Sequence, residues 1–473
     1  MITFESILFA LTNQHIPVPS AMITEAVIDS RKVIPGALFI ALPGEHADGH
    51  QYVGDAFLRG ALFAITQQDL SSQFQTIDLR KLDISLQLSQ IQLPICLLVE
   101  DSLGALQILA RYWRQQLTMR VVGITGSVGK STTKELVAEV LSQKYHTFKN
   151  PGNYNNEIGL PLTILNMGCG YERAVLEMGF YVPGEIALLC DIAKPETGII
   201  TNIGTVHAER AGSQQEIIKG KAELLQSLPP APQGIAILNY DDTLVRFMSS
   251  QTNARIITYG LDEQADLSAE NIHSHGLNGI EFHLNYQGQK IKFKLPLLGR
   301  HSVQTALRAI AVGLSDNMSY EEIQEGLMQS RGQLRLVAVQ TRNGALILDD
   351  TYNATPESTI AALDLLSELK GQRIAVLGDM RELGQYEQQG HEQVGVHAAA
   401  TVHQLIAVGQ LGKTIATAAQ SSGLAPSAIT WVKDAQQATE LLRYHLQPGD
   451  VVLVKGSHAM RMDRISEILE ESG

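Results

Sequence analysis

Val121-Val-Gly-Ile-Thr125-Gly126-Ser127-Val128-Gly129-Lys130-Ser131-Thr132-Thr-Lys-Glu-Leu136-Val137-Ala-Glu-Val140-Leu141 is the stretch on which the fold turns. A β-branched apolar run opens it, two glycines interrupt it, and Leu136, Val137, Val140 and Leu141 then recur at helical spacing. The order is strand, glycine loop, helix. Gly126 and Gly129 let the chain curl so that its N–H groups face inward at a helix N-terminus, where unpaired amides favour an anion. Lys130 adds a point charge for outer phosphates, and Ser131 or Thr132 offers a hydroxyl to Mg2+. The pattern is T-G-x-x-G-K-[ST], since Ile124 stands five residues before Gly129 and Gly123 comes one residue too early for G-x-x-x-x-G-K-[ST]. A plain glycine turn feeding an amphipathic helix would account for the glycines, though not for Gly-Lys-Ser-Thr at the junction. The expected ligand is a nucleoside triphosphate, ATP or GTP, held by Thr125, Gly126, Ser127, Val128, Gly129, Lys130, Ser131 and Thr132.

Around this loop lie 473 residues, too many for one core, so about three domains are expected. Hydrophobic content of 44% and charged content of 18% describe globular domains. With 36 basic against 49 acidic residues the net charge is −13, which argues against nucleic acid or an anionic membrane as the main partner. Cys96, Cys169 and Cys190 are odd in number and far apart, and Leu-Pro-Ile-Cys96-Leu-Leu-Val shows the apolar runs they sit in. Reduced cysteines in a cytoplasmic protein are expected, without a disulfide framework or zinc spacing. Met1-Ile-Thr-Phe-Glu has no basic, cleavable character, and no apolar run reaches the ~18 residues of a membrane span.

Residues 1–100 read as a small α/β module: a short helix, then Val27 to Leu42 with Pro35-Gly36 as a turn between two strands, then the polar loop Gly44 to His50 and a helix carrying Val53, Ala56 and Phe57. Residues 101–330 form the middle domain around the glycine loop. There Lys149 to Pro161, rich in Pro, Gly and Asn, is an irregular loop. Strands ending at Glu177 and near His207 would deliver both to the carboxyl edge of a parallel sheet, where ligands sit. Segment 253–296 alternates and is expected to be antiparallel, and Gly299-Arg-His301-Ser opens an alanine-rich helix. From 331 to 473 strand and helix alternate cleanly, which implies a Rossmann-like parallel sheet covered by helices. It lacks G-x-G-x-x-G, and its strands end in Asp349-Asp350, Gly378-Asp379 and Lys455-Gly-Ser457.

Motors, kinases, GTPases and ligases all bind nucleotides this way, so what faces the loop decides among them. Glu177 is the stronger metal candidate. His207 alone would be a strand-end histidine with a structural hydrogen bond, because Mg2+ prefers oxygen. A third domain with polar strand ends suits a cleft that excludes water from an activated intermediate, which favours transfer or ligation over hydrolysis.

The chain resembles the Mur ligases. The resemblance rests on Thr125-Gly-Ser-x-Gly-Lys-Ser-Thr, Asn153-Tyr-Asn155-Asn156-Glu-Ile-Gly159, Glu177-Met-Gly179, Thr201-Asn-Ile-Gly-x-x-His207, Gly299-Arg-His301, Asp349-Asp-Thr-Tyr352-Asn353-Ala-Thr-Pro356, Gly378-Asp379-Met-x-Glu382-Leu-Gly384 and Lys455-Gly-Ser457. It spans the whole chain, with Asp29-Ser30-Arg31-Lys32 and Asp48-Gly-His50 matching the amino-terminal domain. It implies three α/β domains: 1–100 binding a UDP-linked substrate, 101–330 binding ATP, and 331–473 completing the ligase. It also implies an ATP-dependent amide ligase in peptidoglycan precursor synthesis. Within the family, the resemblance carried by Tyr352-Asn353-Ala and Gly378-Asp379-Met implies UDP-N-acetylmuramoyl-tripeptide and D-alanyl-D-alanine as substrates, joined through an acyl phosphate, and the Asp-Asn-Pro-Arg signature of the ligase for the third amino acid is absent.

By the same resemblance Lys130, Lys221, His207 and Glu177 carry the chemistry, and Mg2+ is held by Ser131, Thr132, Glu177, His207 and a carbamylated Lys221. Lys219 is the alternative to Lys221, and without the resemblance both would be solvated helix residues. Asn239 and His301 fall on the adenine side, with Arg335 and Asp350 reaching the nucleotide from the third domain. Ser30, Arg31, Asn155, Asn156, Tyr352 and Asn353 fall to the other substrates. Ser302 and Thr305 stand where the family usually shows asparagines, Leu334 where glycine is common, and His458 where arginine often follows. A monomer is expected. The competing readings are another amide ligase of the superfamily, such as a folylpolyglutamate synthase-like enzyme, and a nucleotide-binding homologue without catalysis.

Overall fold

The structure, a computed structural model, describes residues 2–44, 47–81, 91–329 and 336–471. It is α/β throughout, with three sheets, and its contacts divide into two compact units. The first holds Met1–Gly123, Tyr145–Gly179 and Glu185–Glu196; the second holds Ile124–Lys144, Phe180–Gly184 and Thr197–Gly473.

In the first unit a five-stranded parallel sheet runs, in spatial order, Ala26–Val27, Leu38–Ile40, Phe63–Thr66, Ile95–Leu98 and Thr76–Asp78. Phe39, Ala41, Val53, Ala56, Ala64 and Cys96 form one of its cores. The same unit contains the parallel pair Thr147–Lys149 and Arg173–Glu177 and the helices Ser102–Gln115 and Gly159–Leu165. Buried Arg114 ties the end of the first of these helices to its surroundings by donating to the carbonyls of Leu117, Met119 and Ala193.

In the second unit Thr197–Ile200, Ile235–Asn239, Arg255–Gly260 and Leu267–Ser274 pair in parallel, and Ile280–Tyr286 and Gln289–Leu295 continue as antiparallel hairpin strands. The expectation of an antiparallel 253–296 therefore holds only from Leu267 onward. Arg255–Gly260 buries Ile257 and Tyr259 completely or nearly so, and joins the parallel part. Residues 330–335, where the boundary before the last domain was placed, lie outside the described residues.

The last sheet runs Val337–Gln340, Leu346–Asp349, Val451–Lys455, Arg373–Leu377, Gln404–Val408 and Ile429–Val432, all parallel except the first. Ala375, Leu377, Leu405 and Leu453 pack into one hydrophobic cluster, while Ile374, Val376, Ile406 and Val454 pack into another. Successive side chains of a strand point to opposite faces, so a sheet with two apolar faces needs helices on both sides. The helix Pro356–Glu368 starts sharply because Thr355 and Ser358 cap each other's backbone and Pro356 takes the first turn.

Candidate active site

The loop between the strand Arg120–Thr125 and the helix Lys130–Leu141 has the two special backbone angles its glycines provide. Gly126 adopts φ +144°, and a Cβ there would fall 1.8 Å from Thr201 Oγ1; Gly129 adopts φ +82°. The neighbouring segment Thr201–Gly204 braces the loop. The Thr201 amide donates to Thr125 O at 3.0 Å and the Ser127 amide to Asn202 O at 3.0 Å. The Val128 amide donates to Asn202 Oδ1 at 2.9 Å, Thr201 Oγ1 donates to Val128 O at 2.7 Å, and the Gly204 amide donates to Ser127 Oγ at 2.8 Å. Lys130 Nζ folds over the loop and donates to Gly126 O and Ser127 O at 2.8 and 3.3 Å. Ser131 and Thr132 are half-buried in the first helical turn.

Lys221 sits on the helix Gln214–Gln226, which Ser213 caps. It is fully buried and its Nζ has no hydrogen-bond partner. The ammonium position lies 4.8 Å from the Phe180 ring centroid, and Gly220 keeps that ring in place, because a Cβ there would come within 2.0 Å of it. Burial, and secondarily the charge of Lys130, hold the Lys221 amine well below its ordinary pKa. Lys219, two residues earlier, is exposed and paired with Glu216 at 2.5 Å.

His207, at φ +68°, immediately precedes the short helix Ala208–Ala211, and its side chain makes no capping bond to it. Its Nδ1 lies 2.7 Å from Glu382 Oε2, and the Tyr181 ring meets it edge-on at 5.1 Å. Burial lowers its pKa, Glu382 opposes that shift, and the charges of Lys130 and Lys221 add to it. With Nδ1–H held by a carboxylate, Nε2 keeps its lone pair, as a metal ligand requires. Among the described residues no group of three or more His, Cys, Asp or Glu could hold a metal ion by itself.

Glu177 belongs to the first unit and is buried there. Asn155 Nδ2 donates to its Oε1 at 2.9 Å, and Asn150 pairs with its backbone at 2.9 and 3.2 Å. Asn156 Oδ1 accepts from the Gly159 amide at 2.8 Å and so starts the helix Gly159–Leu165. Also in this unit, Arg31 folds back on Asp29 in a two-point ion pair at 2.9 and 2.8 Å, which holds the Asp29 carboxyl at about 2. Ser30 beside it is buried.

In 473 residues the Mur ligase middle domain matches 124–313, the Mur ligase glutamate ligase domain 334–458, and the catalytic domain of the Mur ligase family 22–79. The chain is 36% identical to the UDP-N-acetylmuramoyl-tripeptide–D-alanyl-D-alanine ligase of Synechocystis sp., over 99% of this chain and 96% of that protein. The chain belongs to the Mur ligase family. Two solved structures agree with it in fold. One is a crystal structure of MurF from Acinetobacter baumannii (TM-score 0.85, 29% identity, all of both chains), the other the MurF ligase of Thermotoga maritima in complex with ADP (TM-score 0.80, 27% identity, 98% of both).

In this Mur ligase the remaining expected residues lie as follows. Asn239, buried at the end of its strand, donates to Thr201 O at 3.3 Å and so backs the brace. His301 is exposed at the start of the helix Ser302–Ser315, and Gly299 at φ +75° leaves room for its ring. Asp350 is paired with buried Lys455 at 2.5 Å, and that lysine also donates to Asn353 O at 2.9 Å. Tyr352 and Asn353 are exposed. Arg335 lies outside the described residues. Sequence reasoning missed Asn202 and, as a partner of His207, Glu382; both stand inside quoted motifs, but only the fold brings each to its partner.

Proposed function

We propose that this chain joins D-alanyl-D-alanine to UDP-N-acetylmuramoyl-tripeptide with ATP, the amide-forming step that completes the peptide of a peptidoglycan precursor. The identity of the substrates is supported by the relatives of that name that the chain matches end to end. The chemistry is supported above all by Lys221, an amine buried without a hydrogen-bond partner and under the charge of Lys130.

The braced loop would hold the nucleotide through Thr125 to Thr132, with Lys130 exchanging its two loop carbonyls for phosphate oxygens. Bound ATP supplies the phosphoryl group that activates the tripeptide carboxylate as an acyl phosphate, which the dipeptide amine then attacks with loss of phosphate. Mg2+ would be held by Ser131 or Thr132 with Glu177, His207 and Lys221. A free-base amine adds CO2 to give a carbamate and a proton, so Lys221 would enter that set as an anion. Its depressed pKa favours the free base, whereas Lys219 is exposed and engaged in an ion pair with Glu216. Glu382 fixes the His207 ring through Nδ1. Asn155 would orient Glu177, with Asn156, Ser30, Arg31, Tyr352 and Asn353 serving the muramoyl peptide and dipeptide, and Asn239, His301, Arg335 and Asp350 the nucleotide. The domains would divide at 1–100, 101–330 and 331–473, in a cytoplasmic monomer.

The test is phosphate release by the purified chain with Mg-ATP. Release that requires both UDP-N-acetylmuramoyl-tripeptide and D-Ala-D-Ala is expected; release with a folate and glutamate instead would overturn the reading.

A further inference from the structure

Arg308 is a cation to which none of the roles above gives work. It projects from the helix Ser302–Ser315 and is 3% exposed. Its Nε donates to Tyr259 OH at 2.7 Å, and its Nη1 donates to Thr133 Oγ1 at 2.8 Å and Thr305 Oγ1 at 3.4 Å. All three partners are neutral hydroxyls, and among the described residues no carboxylate forms an ion pair with it. The guanidinium lies against the nucleotide loop: a Cβ on Gly129 would come within 3.3 Å of Nη1. Fully buried Tyr259 passes the contact on by donating to Thr201 O at 3.2 Å, and Thr201 Oγ1 donates to Val128 O.

A buried charge without a counter-charge is destabilising, and even buried ion pairs can often be replaced by well-packed apolar groups of similar size without loss of stability. Hydroxyl dipoles offset part of that cost, but the missing negative charge is what the loop is shaped to receive. We propose that Arg308 is a positioning residue for the nucleotide. It is a fixed positive charge behind Gly129 whose counter-charge is the phosphate chain, and it holds the loop through Thr133 and through Tyr259 and Thr201. This rests on the reading of the loop as an ATP site.

Two properties separate this role from a plain structural brace, and both can be read without turnover. R308M keeps volume and removes charge. Its unliganded melting temperature should equal or exceed that of the wild type, while its affinity for ATP by calorimetry falls about tenfold and its affinity for AMP falls less than about threefold. R308K, which keeps the charge, should recover most of the ATP affinity. R308M that melts lower than wild type with an unchanged ATP-to-AMP ratio overturns the proposal. If R308M does not fold, R308Q carries the same expectations, and failure of both to fold also overturns it, by making the charge a structural requirement. Wild-type protein that binds no ATP removes the function reading itself, an outcome distinct from a failure of Arg308 alone.

Discussion

At Lys221 one amine has been separated from water and from every hydrogen-bond acceptor, and two consequences follow at that residue. If Lys221 carries the proposed carbamate, Lys221→Ala should lose most ligase activity and millimolar short carboxylates should partly restore it; full activity in the variant removes Lys221 from the mechanism. The second consequence concerns stability. The folded pKa lies below 10.5, the value of the free side chain, so between the two the unfolded chain carries the extra proton. Stability therefore rises with pH across that interval. Urea unfolding in CO2-free buffer at increasing pH should show that rise in the wild type and lose part of it in Lys221→Met. The cysteines give a simpler check. Burial pushes the Cys96 thiol up to about 12, Cys190 is buried, and Cys169 is exposed. A thiol reagent should therefore modify one cysteine in the native protein and all three only after unfolding, and prompt modification of Cys96 would contradict the packing of its sheet.

At the scale of elements, the strand, loop and helix around Gly126 were legible because each is set by its own residues: β-branched run, glycine pair, helical spacing. The alternation of the last sheet was legible for the same reason, since its strands are apolar on both faces. The brace was not. Asn202 is an unremarkable loop residue until the fold sets it beside Val128, where it accepts from the amide and donates to the carbonyl. Likewise Arg255–Gly260 alternates too little to reveal whether its neighbours run parallel. The brace predicts two losses of different kind. Gly126→Ala would press a methyl onto Thr201 Oγ1 at a φ that side chains rarely adopt, so the loop must open, and both nucleotide binding and stability should fall, the latter by about 1–3 kcal/mol. Asn202→Ala removes two hydrogen bonds without a clash, about 1–2 kcal/mol, and should weaken ADP binding measured by calorimetry. Unchanged affinity in both variants would show that the loop holds its shape unaided.

Across the second unit as a whole, the elements around the last sheet meet the segment Gly204–Glu209, which follows the brace of the nucleotide loop, at three points. Glu382 meets His207 at 2.7 Å, and a Cβ on Gly204 would come within 2.8 Å of the Glu357 carboxylate. Gly384, at φ +54°, is so close that a Cβ would fall 2.9 Å from Glu209 Cα. The motif from Gly378 to Gly384 was visible in sequence, but its partner, 175 residues earlier, was not. These contacts touch neither the glycine loop's own backbone nor Lys130, so losing them should spare nucleotide binding and damage the step that needs both domains together. Gly384→Val should leave ADP affinity within about twofold of wild type and lower kcat for amide formation about tenfold or more. Glu382→Gln, which keeps the shape but weakens the hold on His207, should fall between Gly384→Val and wild type. Because docking also excludes water from the acyl phosphate, the ratio of phosphate released to amide formed should rise above one in Gly384→Val. A ratio of one at reduced kcat would mean that the loop positions substrate without shielding it, and lost ADP affinity would mean that the three contacts build the nucleotide site itself.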